Sequence, residues 1–220
     1  MPTTLTTANE FAHAAMTDWI YLASQSPRRL QLLQQWGLRV ELLLPDASED
    51  VEALEAVLPG ESPATYVQRV TALKLQAALQ RLHTRALPPA PVLCADTTVA
   101  LGRQILGKPA DAEQACQMLA SLAGRRHRVL TAVAVGLPHA TAPTCQTALS
   151  TSWVAFAPLS AAAIRRYVDS GEPMGKAGAY AIQGRAALWT QHLSGSYSGI
   201  MGLPAFETAQ LLQAAGVRMV

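Results

Sequence analysis

Apolar positions along the chain follow two different periods, and the change between them predicts alternating strands and helices. Short runs rich in Val, Leu and Ile have the length of strands, whereas longer segments repeat apolar residues at helical spacing. The predicted strands are 19–23, 39–44, 92–95, 98–101, 129–137, 148–156 and 187–193. The predicted helices, counted from their capping or first residue, are 27–36, 63–82, 111–122, 160–168 and 204–216. Helices mixed with adjacent hairpins predict an α/β fold built on a mixed twisted sheet.

Composition favours one sizeable domain, or two lobes that share a core. The chain has 220 residues, of which 50% are hydrophobic and 15% charged. A formal net charge of +2 is too small to indicate a nucleic-acid or membrane surface, so we expect neither partner. The three cysteines are widely spaced, which argues against a disulfide framework or a zinc site and fits a reducing compartment.

The first eighteen residues contain no lysine or arginine and no sustained apolar run, so they do not resemble a signal or transit peptide. We expect residues 1–18 to be a flexible extension, residues 19–220 to be a single domain, and the protein to be cytoplasmic by default.

Residues 21–29, YLASQSPRR, carry the first candidate chemistry. Ser24 and Ser26 lie in a polar loop, Ser26 is a suitable N-cap, and Pro27 suits the first helical position. Arg28 and Arg29 then fall in the first turn, where the helix end is already positive. An anion at this point would explain the pattern. The alternative is a capped helix with two solvated arginines.

Asp96 is the strongest single candidate, because it interrupts an otherwise apolar segment, 92–101, that should be a buried strand. A buried carboxylate is costly unless it is paired or bound to a metal. It is therefore either a structural ion pair or a functional group, a general base or a Mg²⁺ ligand. Thr97 and Thr98 could donate hydrogen bonds into the same site.

Three further charged residues are ambiguous when taken alone. Glu49 lies in an acidic connector that is mostly solvated surface, but together with Asp96 it could complete a hard-cation site beside phosphates. Lys74 and Lys108 would neutralise phosphate charge if they point inward, and would otherwise be ordinary surface lysines.

Two glycine-rich stretches, 171–184 and 195–204, complete the set. Lys176 lies between glycines that let the backbone approach a ligand closely. Gln183 has the donor and acceptor needed to read a base edge. Both stretches could equally be ordinary tight loops. The chain has no GxxxxGK[ST] loop and no serine nucleophile elbow, which excludes a Walker-type phosphate site.

In order along the chain, these pieces resemble the Maf family of nucleotide pyrophosphatases. The matching motifs are LASQSPRR, LPDASED, ESPATYVQRV with its following lysine, ADTTV, ILGKPAD, AGRRHRVLT, EPMGKAGAYAIQG and GSYSGIMGLP. The resemblance implies an elongated two-lobed structure with a central cleft, related to the inosine-triphosphate pyrophosphatases. It also implies a homodimer, a divalent cation (Mg²⁺ or Mn²⁺), and cleavage of a nucleoside triphosphate substrate to the monophosphate and pyrophosphate.

The resemblance further implies residue roles. Asp96 corresponds to the family's proton acceptor and Glu49 to its metal-associated glutamate. Positions linked to substrate choice correspond to Arg28, Thr97 and Gln183. The family's lysines correspond to Lys74, Lys108 and Lys176. The chain departs from the family pattern at Ser48, Ala123 and Gly199.

The motifs ADTTV and AYAIQG are similar to those of the branch that acts on dTTP and UTP, and modified pyrimidine nucleotides are further candidates. Such an enzyme would have a house-cleaning role, and the family's association with septum formation implies a link to cell-division arrest. Two alternatives stay open: a 7-methyl-GTP pyrophosphatase, and a non-catalytic nucleotide-binding regulator of septum formation.

Overall fold

The computed structural model describes residues 17–46, 49–50, 52–138 and 144–219. Most of the expected N-terminal extension, residues 1–16, lies outside the described residues, as does Ser48. Thr17 forms a parallel bridge with Val217, and its carbonyl accepts a 2.8 Å hydrogen bond from the Arg218 amide. Backbone pairing is therefore already present two residues before the predicted domain start.

Seven strands and six α-helices alternate through the described ranges. The strands are β1 (Trp19–Leu22), β2 (Arg39–Leu42), β3 (Val92–Leu101), β4 (Gln104–Leu106), β5 (Arg126–Leu137), β6 (Thr144–Phe156) and β7 (Thr190–Ser194). The helices are α1 (Pro27–Gln35), α2 (Pro63–Thr84), α3 (Ala112–Leu122), α4 (Ala161–Val168), α5 (Tyr197–Met201) and α6 (Ala205–Ala214). Short 3₁₀ helices cover Glu52–Glu55, Ala177–Ala179 and Arg185–Trp189. Within these ranges no helix has the length and hydropathy needed to cross a bilayer.

The predicted helix starts are confirmed, and side-chain caps explain three of them. Ser62, Asp111 and Ser160 each accept a hydrogen bond from the amide three residues later. Ser26 occupies the N-cap position of α1, but its side chain makes no cap bond. Its hydroxyl is therefore not used to close the helix.

Two predictions near the C-terminus were wrong. The strand predicted over 187–193 is a 3₁₀ helix up to Trp189 and a strand only from Thr190. The Trp189 ring packs edge-on against Tyr167, with ring centroids 4.8 Å apart, and the strand forms only beyond it. The predicted loop 195–204 contains α5, which Ser196 caps by accepting from the Gly199 amide at 3.0 Å.

The sheet is open and mixed, in the order β2-β1-β3-β5-β6-β7, with β4 also paired to β3. β1 runs parallel to β2 and β3, and every other pairing is antiparallel. β3 is continuous through Asp96, which joins the two apolar runs predicted on either side of that residue. Along one edge, β3 pairs with β1 as far as Leu93 and with β4 from Val99. Asp96 lies in the gap between these neighbours.

Hydrophobic clusters divide the structure into two lobes along the long strands. On one face, β1, α1 and α6 pack over Val133 and Val135. Further along the same face of β5, α3 and α4 pack over Val129. α2 covers the opposite face, against Cys94 and Ala134. The gap beside Asp96 falls between the lobes, so the fold opens a cleft at the end of β1.

Candidate functional site

The cleft at the end of β1 is a cavity of about 910 Å³, with a second cavity of about 150 Å³ that reaches β3. The β1–α1 loop forms one wall, because the Ala23 amide donates to the Leu93 carbonyl at 2.9 Å and turns the chain toward the gap. Ligands of open α/β sheets bind beyond the carboxyl ends of parallel strands, where this cleft lies. Predicted residues that line one or both cavities are Ser24, Ser26, Arg28, Arg29, Glu49, Lys74, Asp96, Thr97, Lys108 and Lys176.

Arg29 is held in a fixed position by three groups. Its guanidinium donates to the Gly202 carbonyl at 2.8 Å, to the Ser24 hydroxyl at 3.0 Å and to the Thr97 hydroxyl at 3.3 Å. Burial lowers the pKa of Arg29, while the nearby Asp96 raises it. An arginine stays protonated under such shifts, so Arg29 places a fixed positive charge in the cleft.

Thr97 links this arginine to the neighbouring strand. Its hydroxyl lies 2.9 Å from that of Thr131, which also hydrogen-bonds the Gly199 carbonyl at 2.8 Å. Gly199, where the chain departs from the family pattern, therefore takes part in this network through its backbone carbonyl, a group that every residue has. Arg28 is held less firmly, by one 3.4 Å bond to the Met201 carbonyl. Both arginines face the cleft.

Lys74 lies between two carboxylates at the centre of the cleft. Its ammonium is 2.6 Å from Asp96 Oδ1 and 2.6 Å from Glu55 Oε1. Lys108 reaches the same glutamate, 3.0 Å from Oε2 and 3.1 Å from Oε1. Four alternating charges from α2, β3, the 3₁₀ helix and the loop after β4 thus meet at one point.

The pKa shifts of Glu55 and Lys74 favour their charged forms. Burial alone would raise the pKa of Glu55, but Lys74 and Lys108 hold it below the ordinary value. Burial alone would lower the pKa of Lys74, but Asp96 and Glu55 raise it. Glu55 and Lys74 therefore face each other as an ion pair at neutral pH.

Glu49 has a different partner from the one expected for a metal ligand. Both of its carboxylate oxygens accept from Arg81, at 2.8 and 2.6 Å, and this hydrogen bonding lowers the pKa of Glu49. Arg81 also donates to the Leu43 carbonyl at 2.9 Å and ties α2 to the end of β2. The role of Glu49 in metal binding stays a prediction.

The glycine-rich stretch brings Lys176 to the cleft but not Gln183. The Lys176 ammonium donates to the Glu172 carbonyl and, at 3.3 Å, to the Met174 carbonyl. Gln183 is exposed and does not line either cavity. Its role in reading a base therefore stays a prediction.

Sequence reasoning missed Glu55 and Arg81, which the structure places in the cleft wall. Glu55 was one of five acidic residues in a connector that looked solvated, and Arg81 was one cation on a long helix. No local signal distinguishes either residue from a surface charge. Glu49, in the same acidic connector, was assigned its role only through the resemblance to the family, which gave Glu55 no role.

A family model described as "Maf-like protein" matches residues 19–215. The chain is 64% identical over 204 residues to the dTTP/UTP pyrophosphatase of Albidiferax ferrireducens, covering 93% of this chain and 100% of that one. It is 62% identical over 202 residues to the dTTP/UTP pyrophosphatase of Polaromonas sp., covering 92% and 98%. It is 64% identical over 202 residues to that of Cupriavidus metallidurans, covering 92% and 99%.

A solved structure is also similar to part of the fold. It is the nucleoside-triphosphatase / dITP/XTP pyrophosphatase of Mycobacterium abscessus, which is 16% identical and covers 62% of this chain and 74% of its own. The TM-score is 0.36.

Proposed function

Because the chain belongs to the Maf family, we propose that it is a nucleoside triphosphate pyrophosphatase that hydrolyses dTTP and UTP to the monophosphate and pyrophosphate. The relatives that share 62–64% of its residues carry this activity in their names. One observation carries the proposal: a carboxylate in mid-strand, Asp96, opens onto a cleft whose other walls carry six cations.

The cations suit a triphosphate. Arg28 and Arg29 lie in the first turn of α1, where backbone amides and the helix dipole also favour an anion. Lys74, Lys108 and Lys176 line the same cavity. Arginine forks bind phosphate oxygens in fixed directions and lysines act as point charges. We assign the arginines to substrate phosphates and the lysines to the charge that develops on leaving pyrophosphate.

Asp96 is the residue we assign to the reaction itself. Its Oδ1 is bound to Lys74, and in the described part of the chain Oδ2 has no hydrogen bond. Oδ2 can therefore orient a water toward the α-phosphorus and accept its proton. The new bond joins the water oxygen to the α-phosphorus, and the bond from that phosphorus to the bridging oxygen of the β-phosphate breaks.

The donor set fits a divalent cation held jointly by protein and substrate. Mg²⁺ usually takes one or two carboxylates together with phosphate oxygens, and Oδ2 of Asp96 is a suitable hard ligand. Glu49 could join only by exchanging its bidentate contact with Arg81. Among the described residues no three acidic, histidine or cysteine side chains form a metal cage. When bound, the cation would neutralise phosphate charge and stabilise the leaving group.

Substrate choice is assigned to Arg28, Thr97 and Gln183 through family resemblance. Thr97 acts on the cleft through Arg29. Gln183 could contact the substrate base only if the base extends beyond the residues that line the two cavities. The homodimer, the cytoplasmic location and the link to cell division remain predictions.

A panel of nucleoside triphosphates tests the proposal. Purified protein with Mg²⁺ should release pyrophosphate from dTTP and UTP faster than from 7-methyl-GTP or the common purine triphosphates. A preference for 7-methyl-GTP would replace the substrate assignment. Binding of nucleotides without release of pyrophosphate from any of them would favour the non-catalytic regulator.

A further inference from the structure

Glu55 joins two lysines that are 34 positions apart in the chain. Its Oε1 lies 2.6 Å from the Lys74 ammonium and 3.1 Å from that of Lys108, and its Oε2 lies 3.0 Å from Lys108. Both lysines line the larger cavity together with Glu55. One carboxylate therefore contacts two of the six cations that line the cavity.

The backbone around Glu55 is anchored to α2. The Tyr66 hydroxyl donates to the Glu55 carbonyl at 3.0 Å, and Arg69 donates to the Ala56 carbonyl at 2.8 Å and the Leu54 carbonyl at 3.4 Å. Arg69 is itself held by Glu61 at 2.6 and 2.8 Å. The turn that carries Glu55 is thus fixed to α2, the helix that also carries Lys74. The anchoring residues, Arg69 and Tyr66, lie about one and two helical turns before Lys74.

Lys108 depends on this carboxylate more than Lys74 does. The side chain of Lys108 is 52% exposed and that of Lys74 only 15%. Lys74 keeps Asp96 as a second partner, whereas Glu55 is the one carboxylate bound to Lys108 in the described ranges. Two ammonium groups this close repel each other. Without the intervening anion, the exposed lysine would gain rotamer freedom by extending into water.

Both ammonium groups keep donors for a ligand. Each has three N–H groups, and Lys74 uses two of them, on Asp96 and Glu55. A phosphate oxygen in the cavity can take the remaining donors without displacing Glu55. The carboxylate can therefore support the lysines while they bind an anion.

We propose that Glu55 is a positioning residue that holds Lys108 beside Lys74, and so assembles a two-lysine site for the pyrophosphate end of the substrate. This inference rests on the proposed function, since it takes the lysines to be the leaving-group site. Glu55 contacts the lysines and not the phosphates.

The direction in which Glu55→Gln changes pyrophosphate binding distinguishes a positioning role from simple charge repulsion of the ligand. Glu55→Gln removes a negative charge beside an anion site, so charge alone would tighten binding of pyrophosphate. If Glu55 instead positions Lys108, the same substitution weakens binding. The effect must also disappear once Lys108 is absent, because the two substitutions then remove the same interaction.

The experiment is a double-substitution cycle read by calorimetric titration with inorganic pyrophosphate at fixed Mg²⁺ concentration. We expect Glu55→Gln to weaken binding about tenfold, a typical coupling between residues in contact. In the Lys108→Met background, it should change binding by less than about twofold. Glu55→Asp should recover part of the loss, and Glu41→Gln, an exposed glutamate paired with Arg39 on β2, should bind as wild type. Thermal unfolding of each variant checks that the fold is kept.

Binding that is unchanged or tighter in Glu55→Gln would overturn the inference, and so would independent effects of the two substitutions. Failure of wild-type protein to bind pyrophosphate would overturn it as well. The titration requires no turnover, so it does not depend on which nucleotide is the substrate. An error in the assigned nucleotide would appear separately, as absence of dTTP hydrolysis in a protein whose double-substitution cycle with pyrophosphate still gives the expected result.

Discussion

The ammonium nitrogen of Lys74 lies 2.6 Å from Oδ1 of Asp96, and the two side chains are only 15% and 13% exposed. The lysine sits on α2 and the aspartate on β3, so this ion pair crosses from the covering helix to the sheet. It fixes one of the oxygens of the candidate base. The other oxygen is left for the chemistry.

Replacing Lys74 should therefore cost stability as well as activity. Lys74→Met leaves Asp96 without its cation and Glu55 with Lys108 alone. We expect the free energy of unfolding at pH 7 to fall by about 2 kcal/mol, within the range for a hydrogen bond to a charged group. Lys74 holds the pKa of Glu55 below its ordinary value in the folded protein. The stability that this ion pair contributes is therefore fully present above the pKa of an unfolded glutamate, about 4.3. It is lost as the pH falls through the lower pKa of the folded state. Urea unfolding at pH 7 and near pH 3.5 measures the difference.

Lys108→Met is the matched control for that comparison. This substitution also removes a cation that is paired with Glu55, but the Lys108 side chain is 52% exposed. Exposed pairs contribute little, so its effect on unfolding should stay below about 1 kcal/mol. Equal losses for the two lysines would contradict the view that the buried pair stabilises the cleft.

The loop that carries Lys176 should be more sensitive to alanine at Gly178 than at Gly175. Both residues have φ near +70°, so alanine is strained at either position by about 1–2 kcal/mol. A Cβ at Gly178 would also lie 2.8–2.9 Å from three side-chain carbons of Val99, whereas a Cβ at Gly175 meets nothing within 4 Å. Gly178→Ala should lose a further 1–3 kcal/mol, roughly the cost of overpacking, and raise KM. Urea unfolding and steady-state kinetics of the two variants test this, and equal losses would show that Val99 packing does not hold the loop.

Stability should fall as the pH drops from 7.5 to 5, and His127 should supply part of the slope. Its ring is buried against Phe156 and Tyr180, with Nε2 2.9 Å from the Tyr180 hydroxyl, and burial lowers the pKa of His127 to about 4. The unfolded chain takes up a proton near pH 6.5 that the folded chain does not. Unfolding is therefore favoured as the pH falls between these values, by about 2 kcal/mol at pH 5.

His127→Gln removes this titration, so its free energy of unfolding should change less than that of wild type between pH 7.5 and 5. His192→Gln is the control, because His192 is exposed on β7. If the two variants show the same pH dependence as wild type, His127 does not account for the slope.

Removing divalent cations should abolish turnover without unfolding the cleft. The carboxylates nearest the proposed cation site already have partners in the protein, Lys74 for Asp96 and Arg81 for Glu49. Chelator-treated protein should keep its Tm within a few degrees and regain pyrophosphate release when Mg²⁺ or Mn²⁺ is added. A large drop in Tm on chelation would indicate a structural metal instead.

Most of the architecture was predictable from the sequence because its signals are local. The helices α2, α3 and α4 begin where Ser62, Asp111 and Ser160 predict, since each side chain caps its own helix. Asp96 was found because one carboxylate stands out in an apolar strand. The strand predicted over 187–193 failed because ring packing of Trp189 against another element decides the local backbone.

The charged contacts of the site were not predictable in the same way. Glu55 and Arg81 look like solvated charges in their own segments, and only the fold brings them to Lys74 and Glu49. Whether a charge is a ligand or a surface group depends on what faces it across the cleft. The resemblance to a family supplied the roles of the lysines, but not the carboxylate that holds two of them together.

The most direct test of the account is release of pyrophosphate from dTTP by wild-type protein and by Asp96→Asn, with Mg²⁺ present and products resolved. Wild type should give dTMP and pyrophosphate in equal amounts. Asp96→Asn should be slower by on the order of 10²–10⁴-fold, the usual loss for a general base, with an unchanged fold by circular dichroism. Near-normal turnover in Asp96→Asn, or products dTDP and orthophosphate from wild type, would contradict it.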